Sequence, residues 1–200
     1  SLQVLGAARV IAAEPDARAG AQGRRRLAEA GLADRVRWLP LPAATALRQL
    51  RGEGLRVHAV VCVDAAYHLS PRAAWLADAA ALLRPGGRLA FSDILCRQPL
   101  PAEDVRRLYE GMRFSEIASL AQYRGWLQQA GLEVLQAIDL SEEWTRLLVD
   151  RHAMYRSLRE QTVTRLGQAH FDRYDQAYEH FVGLYRSGLL GGALILAQRS

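Results

Sequence analysis

Residues 57–94, VHAVVCVDAAYHLSPRAAWLADAAALLRPGGRLAFSDI, carry the reading that decides the fold. Val57 to Val63 is a nearly continuous apolar run rich in β-branched residues. That pattern predicts a strand covered on both faces of a parallel sheet, near its middle. Pro71 then opens a helix, AAWLADAAALL, which stops before the turn Pro85, Gly86, Gly87. Arg88 to Ile94 (RLAFSDI) supplies the next strand. A strand, a helix and a second strand of these lengths predict an α/β fold with a parallel sheet and right-handed crossovers.

The same alternation extends outward. Ala8 to Ala13 (ARVIAA) reads as a buried strand ending at Glu14, and Pro15 opens a helix where its missing N–H costs nothing. That helix is expected to reach about Ala30, with Gly31 as a left-handed cap and Leu32 as the apolar contact beyond it. Val36 to Leu41 (VRWLPL) is a short strand, and Ala43 to Leu50 is helical by composition and spacing. On the other side, Pro99 and Pro101 introduce a helical stretch, and Tyr123 to Ala130 ends at Gly131 before a strand over Glu133 to Ile138. Ser141 to Tyr185 is charged and aromatic at helical spacing, with Ser141, Glu142 and Glu143 as a capped start. Leu189 to Gln198 (LLGGALILAQ) closes the chain as a strand. With no repeat and no low-complexity linker, residues 1–200 are expected to form one domain: an α/β half over 1–96, and a second half over 97–200 with a helical insert at 141–185 and a final strand at 189–198.

Half of the residues are hydrophobic and 24% are charged, the balance of a globular chain. Apolar stretches are broken by Arg, Asp, His or Pro before the roughly 18 residues that a membrane span needs. The N-terminal residues show no secretory pattern. Cys62 and Cys96 lack paired spacing, which favours reduced thiols and a cytoplasmic location over a disulfide or zinc site. The formal charge of +5 raises nucleic-acid binding as a class. Every basic residue is Arg, however, and both Lys and Asn are absent, as a GC-rich coding bias would produce. The one dense run, Arg24 to Arg26, falls on a surface helix. No nucleic acid and no membrane are expected as partners.

The order strand, acid, helix, AGLADRVRWL, VVCVDAAYHL and LLRPGGRLAFSDI is similar to the class I S-adenosylmethionine-dependent methyltransferases of the small-molecule type. The most specific piece is Leu83 to Leu89, LRPGGRL, one helix after the VVCVDAAYH strand. Trp126 to Glu133 (WLQQAGLE) resembles the family's last helix leading into its sixth strand. The terminal GGALILAQR resembles its seventh, antiparallel strand. The resemblance implies a Rossmann-like, seven-stranded sheet with helices on both faces, binding S-adenosyl-L-methionine across the carboxyl ends of the strands. It also implies methyl transfer to an oxygen, nitrogen or carbon atom of a small metabolite.

Site residues follow from that resemblance position by position. Glu14, with Pro15 after it, matches the acid that accepts hydrogen bonds from the cofactor ribose, a task suited to an acceptor-only carboxylate; the other reading is a helix-start acid favoured by the macrodipole. Pro42 stands where family members have an acid for the adenine amino group, leaving Pro42 and Ala43 only backbone or apolar contact. Asp64 and Ala65 follow the central strand, where the family lines the methionine part of the cofactor. Tyr67 packs over cofactor or substrate, or is structural. His68 is the catalytic candidate: an imidazole, with an unperturbed pKa near about 6.5, suits removal of a proton from a hydroxyl, phenol or amine. Its alternative role is to shape the pocket, because many such reactions need little beyond alignment of donor and acceptor. Asp93 is read as structural. Arg113, with Arg106 and Arg107, is a candidate for an anionic substrate group. Trp144, Tyr155, Phe171, Tyr174, Tyr178, Phe181 and Tyr185 are expected mostly in the core of a segment that covers the pocket and excludes water. His152, His170 and His180 lack metal-ligand spacing, so no metal is expected.

Family members begin with a strand and a glycine-rich loop that lets the cofactor approach the backbone. Ser1 to Ala7 (SLQVLGA) reads instead as the end of the first helix, so the chain is expected to start after that motif. Its sheet is then expected to lack the strand between the second and fourth, and these residues alone to bind the cofactor poorly. Two other readings stand beside the enzyme: an inactive methyltransferase-like binding module, and a nicotinamide-dependent dehydrogenase. The second of these has to dispense with a Tyr-x-x-x-Lys pair.

Overall fold

The first strand, β1 (Val10–Ala13), pairs in parallel with β2 (Val36–Leu39), in the register Val10 with Val36 through Ala13 with Leu39. This computed structural model describes residues 6, 8–114 and 116–200. The helix end expected over Ser1 to Ala7 therefore lies outside the described residues, Gly6 excepted. The chain divides after Arg56 into two compact units.

In the first unit, α1 (Ala17–Glu29) follows β1, and its N-cap is Asp16, whose carboxylate accepts from Ala19 N–H at 2.7 Å. The sequence reading started this helix at Pro15. A side-chain acceptor for an orphan helix-start N–H fixes the boundary two residues later. At the other end Gly31 takes φ +66°, and Leu32 N–H reaches back to Leu27 O at 2.8 Å. This is the left-handed cap expected there. After β2, α2 (Ala43–Gly52) buries Ala46, Leu47 and Leu50. Arg37 grips Glu53 with two bonds of 2.7 and 2.8 Å, holding the Glu53 carboxyl down at about 2.

The second unit is built on a four-stranded mixed sheet in the order β3-β4-β6-β5. Its elements are β3 (Val57–Cys62), α3 (Arg72–Leu82), β4 (Leu83–Cys96), α4 (Ala102–Met112), α5 (Leu120–Gln129), β5 (Leu132–Asp139), α6 (Ser141–Ser157), α7 (Arg159–Leu166), α8 (Gln168–Arg186) and β6 (Leu190–Arg199). β3 runs parallel to β4, whereas β6 is antiparallel to both β4 and β5. A final antiparallel strand was the expectation. The Pro-Gly-Gly turn lies inside β4 and not ahead of it. Pairing jumps from Val57–Leu83 to Ala59–Arg88, so residues 84–87 bulge out with Gly86 at φ +72°. An added Cβ at Gly87 would sit 2.8 Å from Arg84 O and 3.2 Å from His58 O, a spacing that requires glycine.

One expectation changes. The apolar run Val57 to Val63 suggested the middle of a sheet, yet among the described residues β3 has a single strand partner, and Val61 is 57% exposed. The buried interior strand is β4, with Phe91 through Leu95 buried. Its side chains alternate between two faces. Phe91 meets Trp75 of α3 and Tyr123 of α5, while Ile94 packs with Leu108 of α4 and with Phe181, Leu184 and Tyr185 of α8. Helices therefore cover both faces of this sheet.

Candidate active site

Where β3 ends, the chain turns sharply at Asp64, which adopts φ +48°. Asp is one of the few side-chain-bearing residues that tolerate this region. Ser92 of β4 holds the turn in a reciprocal pair: its Oγ accepts from Asp64 N–H at 2.9 Å and donates to Asp64 Oδ1 at 2.7 Å. Ala65 follows as the exposed cap of a single 3-10 turn over Ala66–His68. That turn projects Tyr67 and His68 side by side, with ring centroids 4.4 Å apart, and Tyr67 packs edge-on to Phe114 at 4.9 Å.

These residues open onto a cavity of about 410 Å³. Asp64, Tyr67 and His68 form one wall, Gly111 to Phe114 at the end of α4 another, and Ile94 of β4 contributes from the sheet. The rest comes from two helices. Trp144, Leu147, Leu148 and Arg151 recur at i, i+3, i+4 and i+7, so one face of α6 lines the space. Tyr174, Tyr178, Phe181 and Tyr185 do the same along α8. Arg113, at φ +60°, caps α4 in the left-handed conformation and borders the cavity, whereas Arg106 is engaged by Glu103 and Glu110.

Burial governs the electrostatics. The Tyr67, Tyr174 and Tyr178 hydroxyls are pushed up by loss of solvent, and in each case the Arg151 guanidinium opposes the shift. Burial raises the Cys62 thiol to about 11, and both cysteines are free. Asp93 lies on the other face of β4, wholly buried with Arg72 and receiving the Tyr123 O–H. Loss of solvent pushes its carboxyl up to about 6 against the pull of Arg72 and Tyr123.

The structure thus brings Asp64, Tyr67, His68 and Arg113 to one cavity. Glu14, Pro15, Pro42 and Ala43 belong to the first unit. Glu14 ends β1 with its N–H on Leu39 O at 3.0 Å, and its Oε1 accepts from Asp16 N–H at 2.8 Å. Pro15 is exposed between them; Pro42 is the exposed N-cap of α2, and Ala43 opens that helix half-buried. Sequence reasoning missed Ser92, which looks like any strand residue. It also missed Arg151, whose signal was its spacing from Trp144, Leu147 and Leu148. Two of the three histidines of the helical segment have acidic partners: His152 Nε2 lies 2.7 Å from Asp175 and His180 Nε2 3.2 Å from Asp104. Among the described residues, no group of three or more His, Cys, Asp or Glu side chains is arranged to hold a metal ion. Nor is any described helix long and apolar enough to cross a membrane.

The family model described as "Methyltransferase domain" matches residues 3–137. The chain is 34% identical over 121 residues to 27-O-demethylrifamycin SV methyltransferase of Amycolatopsis mediterranei (strain S699), an alignment that covers 56% of this chain and 43% of that protein. It is 26% identical over 136 residues to dimethylglycine N-methyltransferase of Parasynechococcus marenigrum (strain WH8102), covering 66% of this chain and 47% of that one. The chain therefore spans less than half the length of these curated relatives. Among solved structures, a putative sarcosine dimethylglycine methyltransferase from Galdieria sulphuraria superposes with a TM-score of 0.85 at 16% identity, over 96% of this chain and 69% of that one. Geranyl diphosphate methyltransferase in complex with SAM gives 0.72 at 20% identity, over 96% and 69%.

Proposed function

The chain belongs to the methyltransferase-domain family, and from that premise we propose that the full-length protein transfers a methyl group from S-adenosylmethionine to an oxygen, nitrogen or carbon atom of a small metabolite. The observation that carries this reading is the cavity bordered by Asp64, Tyr67 and His68 at the carboxyl end of β3. Open α/β sheets bind their ligands at the carboxyl ends of strands.

The residues present fit the cofactor in part. At the end of β1 the Glu14 carboxylate uses Oε1 for Asp16 N–H, and a carboxylate has capacity for further donors, as ribose hydroxyls require. Asp64 is held in its turn by Ser92 and presents an acidic, exposed position suited to an ammonium group. Pro42 offers no side-chain hydrogen bond to an adenine amino group. When bound, S-adenosylmethionine supplies a methyl group on a sulfonium, already electrophilic. The chain's own work is then to orient the acceptor against the aromatic walls, to exclude water, and to receive at the His68 imidazole the proton that the acceptor releases. The partner is read as a small molecule and not a nucleic acid, because the one dense arginine run, Arg24 to Arg26, lies on the surface helix α1. The free thiols of Cys62 and Cys96 suit a cytoplasmic setting.

The absent acid at Pro42 favours a second reading, an inactive methyltransferase-like binding module. Calorimetry of the full-length protein with S-adenosylmethionine separates the two, followed by transfer of isotope-labelled methyl to a panel of hydroxyl, amine and activated-carbon acceptors. Binding with label transfer is the expected result. Binding without transfer to any acceptor supports the module, and no binding removes the enzymatic reading.

A further inference from the structure

Arg151 projects from the cavity face of α6, exposed, and among the described residues it forms no ion pair with an acid. Other arginines are committed: Arg156 on the same helix binds Asp175, and Arg106 of α4 binds Glu103 and Glu110. Arg113 is a second guanidinium on the cavity wall that forms no ion pair among the described residues. The wall has one carboxylate, Asp64, at the β3 end, against the two guanidiniums. Between these charges the surface is aromatic, from Tyr174, Tyr178 and Trp144.

An aromatic wall alone accepts either a flat apolar body or a cation held over a ring face. The two guanidiniums decide between them, since a cationic guest would meet like charge inside a partly desolvated space. A guanidinium offers paired N–H donors that match a carboxylate or a phosphate. Arg151 lines the same cavity as Tyr67, Tyr174 and Tyr178, and its guanidinium opposes the upward shift that burial gives each of those hydroxyls.

We infer that this cavity takes an organic anion, with a flat apolar body against Tyr174, Tyr178 and Trp144 and a carboxylate or phosphate group received by Arg151. That such a guest is the methyl acceptor rests on the proposed function; that it binds does not.

The test is calorimetric titration of the full-length protein, without cofactor, using four probes: benzoate, phenyl phosphate, benzamide and phenyltrimethylammonium. At least one anion is expected to bind about tenfold or more tightly than benzamide, the scale of a charge-assisted pair. Whichever anion binds more tightly tells a carboxylate guest from a phosphate one. Arg151→Gln is expected to abolish the preference and Arg151→Lys to keep part of it, with circular dichroism showing both variants folded. Equal binding of benzamide or of the cation overturns the inference, as does binding of none of the four or a preference that survives in Arg151→Gln. A separate titration with S-adenosylmethionine keeps the two readings apart. Anion selectivity without cofactor binding removes methyl transfer and leaves this site, whereas cofactor binding with indifference to charge does the reverse.

Discussion

Arg72 and Asp93 form an ion pair at 3.4 Å with both side chains completely buried, and Tyr123 O–H donates to the same carboxylate oxygen. The Arg72 guanidinium also donates from Nη1 to Leu69 O and from Nη2 to Glu116 O, at 2.6 Å each. The cluster thereby ties the start of α3, the strand β4 and the helix α5 into one piece. Arg72→Met leaves a buried carboxylate without its counter-charge and two carbonyls without a donor. The expected loss is about 3–5 kcal/mol, as for other buried pairs broken on one side. Denaturant unfolding of the variant against the parent measures it.

The same carboxyl gives a pH dependence whose sign is set by burial. Asp93 has a folded value pushed up to about 6, against 3.8 as the ordinary value, because loss of solvent outweighs Arg72 and Tyr123. Between those values the folded chain keeps a proton that the unfolded chain has released, so this group's contribution falls as pH rises from about 4 to about 6 and is level above that. Asp93→Asn removes the titration. The difference in unfolding free energy, parent minus Asp93→Asn, is expected to decline across that window; a difference that rises with pH there contradicts the burial argument.

Much of this arrangement was legible in the residues, and what was not has identifiable causes. β-branched runs and glycine caps located β1, β2, β3, β5 and β6 to within two residues, because strand and cap chemistry is local. The apolar run of β3 placed it mid-sheet, because apolar content says that a strand is suited to burial and not which neighbours flank it; its edge position among the described residues agrees instead with the strand expected to be missing beside it. The bulge in β4 escaped for a related reason, since a Pro-Gly-Gly turn reads the same ahead of a strand as inside one. Tyr67 and His68 are named from the family resemblance and Arg113 as a candidate for an anionic group, but their meeting at one cavity depends on α4 returning beside the 3-10 turn. Arg72 reads as a surface helix-start arginine. Only the chain fold encloses it.

Ser92 and Asp64 form a smaller version of the same device. The two bonds between them, 2.9 and 2.7 Å, hold a non-glycine residue at φ +48° beside His68 and Tyr67. Ser92→Ala removes both bonds and is expected to cost about 1–2 kcal/mol. Hydrogen exchange reports it locally: the Asp64 amide loses protection while amides in β6 keep theirs. Loss spread equally over both would assign Ser92 to the general core.

His68 is tested by separating proton transfer from binding. A residue that receives the acceptor's proton acts on kcat, with an expected loss of about 10²–10⁴ in His68→Ala and little change in KM. Free imidazole in the assay is expected to restore part of the rate for hydroxyl or amine acceptors. A rise in KM with kcat intact, and no rescue, assigns His68 to shaping the cavity through its packing against Tyr67.

Gly192 controls where the α6 wall of the cavity stands. It lies in β6 under Trp144, and an added Cβ would come within 2.7 Å of Trp144 Cδ2 and Cζ3, far inside contact distance. The strand cannot retreat, because Gly192 N–H donates to Ser141 Oγ at 3.1 Å and its carbonyl receives Leu140 N–H at 2.8 Å. The indole has to move, and with it the face that carries Leu147, Leu148 and Arg151. Gly192→Ala is therefore expected to cost about 1–3 kcal/mol from overpacking and to alter the emission of Trp144. Aryl probes of the cavity should bind more weakly. Gly183→Ala, where an added Cβ meets nothing within 4 Å, is the control, and it is expected to leave both the emission and the affinity unchanged. If Gly192→Ala weakens no probe although the Trp144 emission shifts, the indole is packing for β6 and not part of the binding surface.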